Sequence, residues 1–77
     1  MTHYPVPKDA PFLRTLVRAH RSEGQRWTDS TGERFYEWDG LHGELEVYNS
    51  RGRHLGAVDP STGRVTKPAE RGRSIDV

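Results

Sequence analysis

Gly43-Glu44-Leu45-Glu46-Val47-Tyr48-Asn49 decides the fold class. Leu45 and Val47 fall on one side of an extended chain, and Glu44, Glu46 and Tyr48 on the other, which is the period-two pattern of a strand. The pattern continues on both sides. Upstream, Arg34-Phe35-Tyr36-Glu37-Trp38 is aromatic-rich and strand-like and ends at Gly40. Arg26-Trp27-Thr28 is a shorter strand, joined to it through the turn-forming Asp29-Ser30-Thr31-Gly32. Downstream, Ser50-Arg51-Gly52 is a hairpin turn and Arg53 to Val58 a strand. Asp59-Pro60-Ser61-Thr62-Gly63 is a turn, and Arg64-Val65-Thr66 a further strand. Arg73-Ser74-Ile75-Asp76-Val77 can close the chain as an edge strand. Before Gly24 the period becomes helical. Asp9 reads as an N-cap with Pro11 in the first turn, Phe12, Leu13, Leu16 and Val17 form one stripe, and Arg14, Arg18 and Arg21 face away. This predicts a helix over about residues 10–22. The expected fold is α+β, an N-terminal helix followed by a strongly twisted antiparallel sheet of four or five strands. Residues 1–25 are then an N-terminal arm and helix, and residues 26–77 the body of one compact domain.

With 77 residues, of which only 14 are Leu, Ile, Val or Phe, the core is thin and depends on two Trp, three Tyr and two Phe. A deep pocket for a large cofactor is excluded, so any chemistry sits on a shallow surface. The absence of cysteine removes disulfides, thiolate zinc sites and thiol catalysis. No apolar run approaches a membrane span, and the N-terminus lacks the pattern of a signal peptide. The chain is therefore expected to start in the cytosol or to be the released end of something larger. The net charge of +1 hides a pattern: +2 over residues 1–25, −4 over residues 26–49 and +3 over residues 50–77. Ten of the 12 basic residues are Arg, whose planar guanidinium suits phosphate, although a biased base composition would also favour it.

Four carboxylates and a histidine crowd the run from Tyr36 to Tyr48. Period two places His42, Glu44, Glu46 and Tyr48 on one face, with Asp39 in the preceding turn within reach of the imidazole. Glu44 and Glu46 on one face, ~7 Å apart, repel each other. Fold stability offers no reason to accept that cost, but a basic partner or a catalytic role does. A carboxylate beside an imidazole is an acid–base pair able to work at neutral pH. RNA carries its own nucleophile, so Asp39, His42, Glu46 and a nearby Arg would suffice to cleave it. The alternatives are a solvated polar strand face and a metal site on Asp39, His42 and Glu46, whose coordination shell nothing clearly completes.

The run Tyr36-Glu37-Trp38-Asp39-Gly40-Leu41-His42-Gly43-Glu44-Leu45-Glu46-Val47-Tyr48 resembles the C-terminal ribonuclease domain of the ribosome-inactivating colicins, cloacin and related pyocins. Arg26-Trp27-Thr28 and Gly32 before it are similar to the family's blocks, as are His54-Leu55-Gly56, Asp59-Pro60, Thr62-Gly63 and the pair Arg73, Ile75 after it. The likeness runs from about residue 26 to 75. The resemblance implies a metal-independent endoribonuclease, without cofactor, that cuts small-subunit (16S) ribosomal RNA once in the decoding centre and stops translation. It implies a twisted antiparallel sheet with helical structure on the N-terminal side. It places the catalytic residues on Asp39, His42, Glu46 and Arg73, with Glu44 in support. Tyr48, on the same face, is a further supporting candidate.

RNA-backbone contacts are expected at Arg51, Arg53, Arg64, Lys67 and Arg71, which flank the acidic strands. Transfer RNA is the alternative target, and a non-catalytic RNA- or protein-binding module the alternative of another class. The expected partners are the small ribosomal subunit as substrate and a small acidic immunity protein or antitoxin. That inhibitor would be steered to the Arg-rich loops and the helix or sheet flank, leaving the catalytic residues largely uncovered. The chain is expected to be a monomer when free and to act in the cytoplasm, either as a stand-alone toxin or as the delivered tip of a larger one.

Overall fold

A computed structural model describes residues 3–19 and 25–77. Six strands form one antiparallel sheet in sequence order: β1 (Val17–Arg18), β2 (Arg26–Thr28), β3 (Phe35–Asp39), β4 (Glu44–Tyr48), β5 (His54–Val58) and β6 (Val65–Pro68). Strands β2 to β6 lie close to where the alternation places them.

The expected α+β class is wrong, because the described residues contain no α-helix and the architecture is nearly all-β. In place of the helix over residues 10–22 there is a single 3-10 turn, Leu13–Thr15, and then extended chain from Leu16. Residues 20–22 of that expected helix lie outside the described ones. The cause is tertiary. Strand β2 carries the buried Trp27 and would otherwise be an open edge. Val17 and Arg18 pair with Thr28 and Trp27, and the Ala19 N–H donates to the Arg26 carbonyl at 2.8 Å. The Arg18 guanidinium lies over the Trp27 ring. The Phe12 and Leu13 N–H groups donate to the Ser61 and Pro60 carbonyls, docking the turn on the β5–β6 connection. A 13-residue helix is marginal by itself, so these non-local bonds decide the conformation.

The expected terminal edge strand also fails to form as a strand. The tail makes one bridge, Ser74 to Arg53, and the Ile75 N–H donates to the Gly52 carbonyl at 2.8 Å. Gly52 has φ +83°, and a Cβ there would collide with the Ile75 carbonyl, so only glycine lets the tail lie this close.

Every residue of the central strand β4 is buried. Leu45 and Val47 join Ala10, Leu13, Trp27, Tyr36 and Val58 in the core on one face of the sheet. Glu44, Glu46 and Tyr48 are covered on the other face, and that covered polar face is the floor of the site.

Candidate active site

Asp39 ends β3 and builds the turn that follows it. Its Oδ1 accepts the N–H groups of Leu41 (3.0 Å) and His42 (3.2 Å), and its carbonyl accepts the Gly43 N–H at 2.8 Å. Its second oxygen, Oδ2, lies 2.8 Å from His42 Nδ1. One carboxylate thus fixes both the backbone and the ring three residues on. With Nδ1 committed to Asp39, the half-exposed His42 ring presents Nε2 as its reactive nitrogen.

Glu46 lies in the middle of β4 opposite Glu37 and is 5% exposed. Its Oε1 is 2.7 Å from His54 Nε2 and 3.4 Å from Arg73 Nη1. Arg73 also approaches Glu70 at 3.6 Å and contacts the Tyr48 hydroxyl. Asp39, His42, Glu46 and Arg73 line one cleft of about 430 Å³, together with His3, Glu37 and Trp38. All four residues read from the sequence as catalytic are brought together.

Burial pushes the Glu46 carboxyl above the ordinary carboxylate value; the contact with Asp39 adds to this, while the His54 hydrogen bond and the Arg73 charge oppose it. Burial would raise Asp39 as well, but hydrogen bonds from the His42 ring and backbone outweigh it and hold Asp39 low. Two carboxyls in contact are therefore driven apart: Asp39 stays ionised and orients His42, while Glu46 moves toward the range where a base works at neutral pH.

The other expected residues divide. Glu44 sits under β6, where Thr66 Oγ1 donates to its Oε1 at 3.2 Å and Lys67 Nζ meets its Oε2 at 3.0 Å. Lys67 is thus paired with a carboxylate, although its side chain remains 46% exposed. The repulsion between Glu44 and Glu46 is offset by one cation each, Lys67 and Arg73. Donor atoms of Asp39, His42 and Glu44 lie within 4.8 Å of one another, a different trio from the one considered for a metal. Tyr48 is 2% exposed and forms packing beneath Arg73 rather than a wall of the cleft. Arg53 and Arg71 line a second depression beside the first, with His54, Glu70 and Arg73. Arg51 and Arg53 belong to the β4–β5 connection and Arg64 to the β5–β6 connection, at opposite ends of β5. The expected basic loops therefore do not make one patch.

His54 and Arg26 were not among the expected site residues. The Arg26 guanidinium, buried, binds Glu37 at 2.7 Å and donates to the Asp76 carbonyl at 2.7 Å, tying down the tail beyond Arg73. His54 is hidden from strict alternation by a bulge. Val47 pairs with Gly56, but Tyr48 pairs with His54, so Leu55 is extra. Counting by two puts Leu55 on the Glu46 face and His54 on the other. The bulge reverses this and aims His54 at Glu46.

The family profile "Cytotoxic" matches residues 7–76 of this chain. Colicin E3 of Escherichia coli is 50% identical over 52 residues, covering 66% of this chain and 9% of its own length. Cloacin, from the same organism, is 49% identical over 51 residues, covering 65% of this chain and 9% of its own. Colicin-E6, also from E. coli, is 47% identical over 51 residues, with the same coverage. The chain thus spans about a tenth of the length of these relatives. A profile match over nearly the whole chain, with these identities, shows that the chain belongs to the Cytotoxic family, to which it is joined by its likeness to colicin E3 and cloacin.

Proposed function

We propose that this domain cleaves 16S ribosomal RNA at the decoding centre of the small subunit, without a metal ion. Glu46 takes the proton of a 2′-hydroxyl, the O2′–P bond forms, and the P–O5′ bond breaks. His42 Nε2, with Nδ1 held by Asp39, delivers a proton to the departing 5′-oxygen, and the Arg73 guanidinium neutralises the non-bridging oxygens. The products are a 2′,3′-cyclic phosphate and a 5′-hydroxyl. The single observation that carries this reading is the Asp39–His42 pair facing a buried Glu46 across a cleft that Arg73 also lines. Arg53 and Arg71, beside that cleft, and the exposed Arg51 and Arg64 are the backbone contacts of the RNA. Lys67 joins them from its place over Glu44.

The relatives carry the matching segment as 9% of a longer chain, which supports a domain delivered by a larger toxin and acting in the cytoplasm of the target cell. A small acidic inhibitor suits the exposed arginines of the loops and of Arg14 and Arg18, now on a turn and a strand rather than a helix. The free domain is a monomer in this reading.

Incubation with purified ribosomes in EDTA, followed by mapping of RNA 5′ ends, tests the proposal. One dominant cut near the 3′ end of the small-subunit RNA, lost in His42→Ala, is the expected result. Cuts in anticodon loops instead redirect the enzyme to transfer RNA. Intact RNA leaves only a binding module.

A further inference from the structure

His54 is an imidazole that the proposed mechanism does not use, yet its ring is 2% exposed and both nitrogens are engaged. The Glu70 N–H points at Nδ1 from 2.9 Å, so Nδ1 holds a lone pair. The hydrogen therefore resides on Nε2, which donates to Glu46 Oε1 at 2.7 Å. These two contacts fix the ring in one orientation. Its plane is set by the edge-on Tyr48 ring, with centroids 5.2 Å apart. Its own N–H donates to the Arg73 carbonyl at 3.0 Å. Three polar groups of this one residue thus reach the base on β4, the amide of Glu70 and the carbonyl of Arg73.

Resting on the ribonuclease reading, we infer that His54 is a positioning residue that bridges Glu46 to the Glu70–Arg73 turn, holding the general base and the phosphate-binding arginine at their working separation. Among the described contacts, β4 is otherwise joined to that turn through Arg73 itself, which lies 3.4 Å from Glu46 and beside Tyr48. Water cannot replace the bridge at a ring so fully enclosed, and displacement of a catalytic group by ~1 Å costs on the order of 10²-fold in rate. The hydrogen bond also favours the ionised form of Glu46, against burial and against the adjoining Asp39; Arg73 acts with His54, and Glu37 faces Glu46 across β3.

Three variants separate the two ends of the bridge. In His54→Gln the amide nitrogen stands near Nε2 and keeps the donor to Glu46. In His54→Asn the amide oxygen stands near Nδ1 and keeps only the acceptor for Glu70. His54→Phe keeps shape and loses both. With ribosomes as substrate, His54→Phe and His54→Asn are expected to lose about 10²-fold in kcat with KM within about twofold, and the acid limb of their pH–rate profiles moves up. His54→Gln stays within about tenfold and keeps the wild-type limb. Folded Phe and Asn variants with wild-type kcat and acid limb overturn the inference, as do equal losses in Gln and Asn. If His54→Phe does not fold, the Gln–Asn pair decides. Two measurements need no substrate: ¹⁵N NMR of the wild-type imidazole, where hydrogen on Nδ1 overturns the inference, and ¹³C titration of the Glu46 carboxyl, expected to move up in His54→Asn and not in His54→Gln. Wild-type protein that leaves ribosomes intact sinks the ribonuclease reading, while these two measurements still judge the bridge.

Discussion

Glu46 combines burial with the need to ionise, so it sets stability and activity against each other. Its native proton affinity lies above the ordinary value of 4.5. As pH rises past 4.5 the unfolded chain ionises first, so the native state loses stability until its own Glu46 has ionised, and the loss is constant above that. Glu46→Gln escapes the loss and still accepts from His54. The variant is expected to melt higher than wild type at pH 7, to converge with it below 4.5, and to lose ~10²-fold or more in ribosome cleavage. Melting curves that coincide at every pH refute the stability half. Asp39 behaves oppositely: its lowered value contributes stability above 3.8 that is lost as pH falls below it. At Arg73, substitution by Lys keeps the charge but not the planar guanidinium whose Nη1 lies 3.4 Å from Glu46 and 3.6 Å from Glu70. Single-turnover assays should show kcat reduced by ~10-fold or more with substrate binding little changed. The residues proposed as catalytic were legible because short-range chemistry marks them: Asp39 and His42 are three apart in one turn, and Glu46 follows in the same run.

At the scale of elements, two bulges place the side chains that alternation misplaces. One turns His54 toward Glu46. In the other, Val58 pairs with Val65 and Ala57 with Lys67, leaving Thr66 extra. The first bulge adjoins Gly56, one residue before the second; the φ of Gly56 is +137°, and a Cβ there would stand 2.5 Å from the Lys67 carbonyl. Gly56→Ala is expected to cost roughly 1–3 kcal/mol in urea denaturation and to lower cleavage as well, since His54 and Lys67 both lose their placement. A variant as stable as wild type would show that the bulge tolerates a side chain. Strand existence was readable from alternation and turn residues. The bulges were not, because one extra residue changes neither composition nor local propensity. The N-terminal segment misled for the complementary reason: its 3.6-residue pattern is real, but the stripe serves a 3-10 turn and an edge strand, where pairing with β2 outweighs a marginal local preference.

For the molecule as a whole, the tail is the closing clasp. Removing Ile75–Val77 takes away the Ile75–Gly52 bond and leaves the buried Arg26 without its Asp76 carbonyl. The truncated chain should melt lower and lose kcat, because Arg73 then keeps its backbone bond from His54 and the Ser74–Arg53 bridge but loses the anchoring beyond them; thermal melts paired with ribosome assays check this, and unchanged kcat would show that the clasp is dispensable. Charge reversal at Arg51, Arg53 and Arg71 together should lower cleavage at low salt, with the deficit shrinking as salt rises, since exposed guanidiniums act on phosphate through a screened field. Equal deficits at 50 and ~500 mM salt would remove these residues from the RNA interface. By itself the sequence determined the strand run from Arg26 onward, the core face of Leu45 and Val47, the family, and three of the four cleft residues as neighbours in one short stretch. Periodicity, turn chemistry and residue type are local, and they survive without coordinates. Only the tertiary structure decided that the N-terminal stripe is not a helix, that His54 faces Glu46, and that Arg73 arrives beside Glu46, 27 positions earlier. Those outcomes depend on pairing between distant segments, where a bulge or an open edge settles what local preference leaves undetermined.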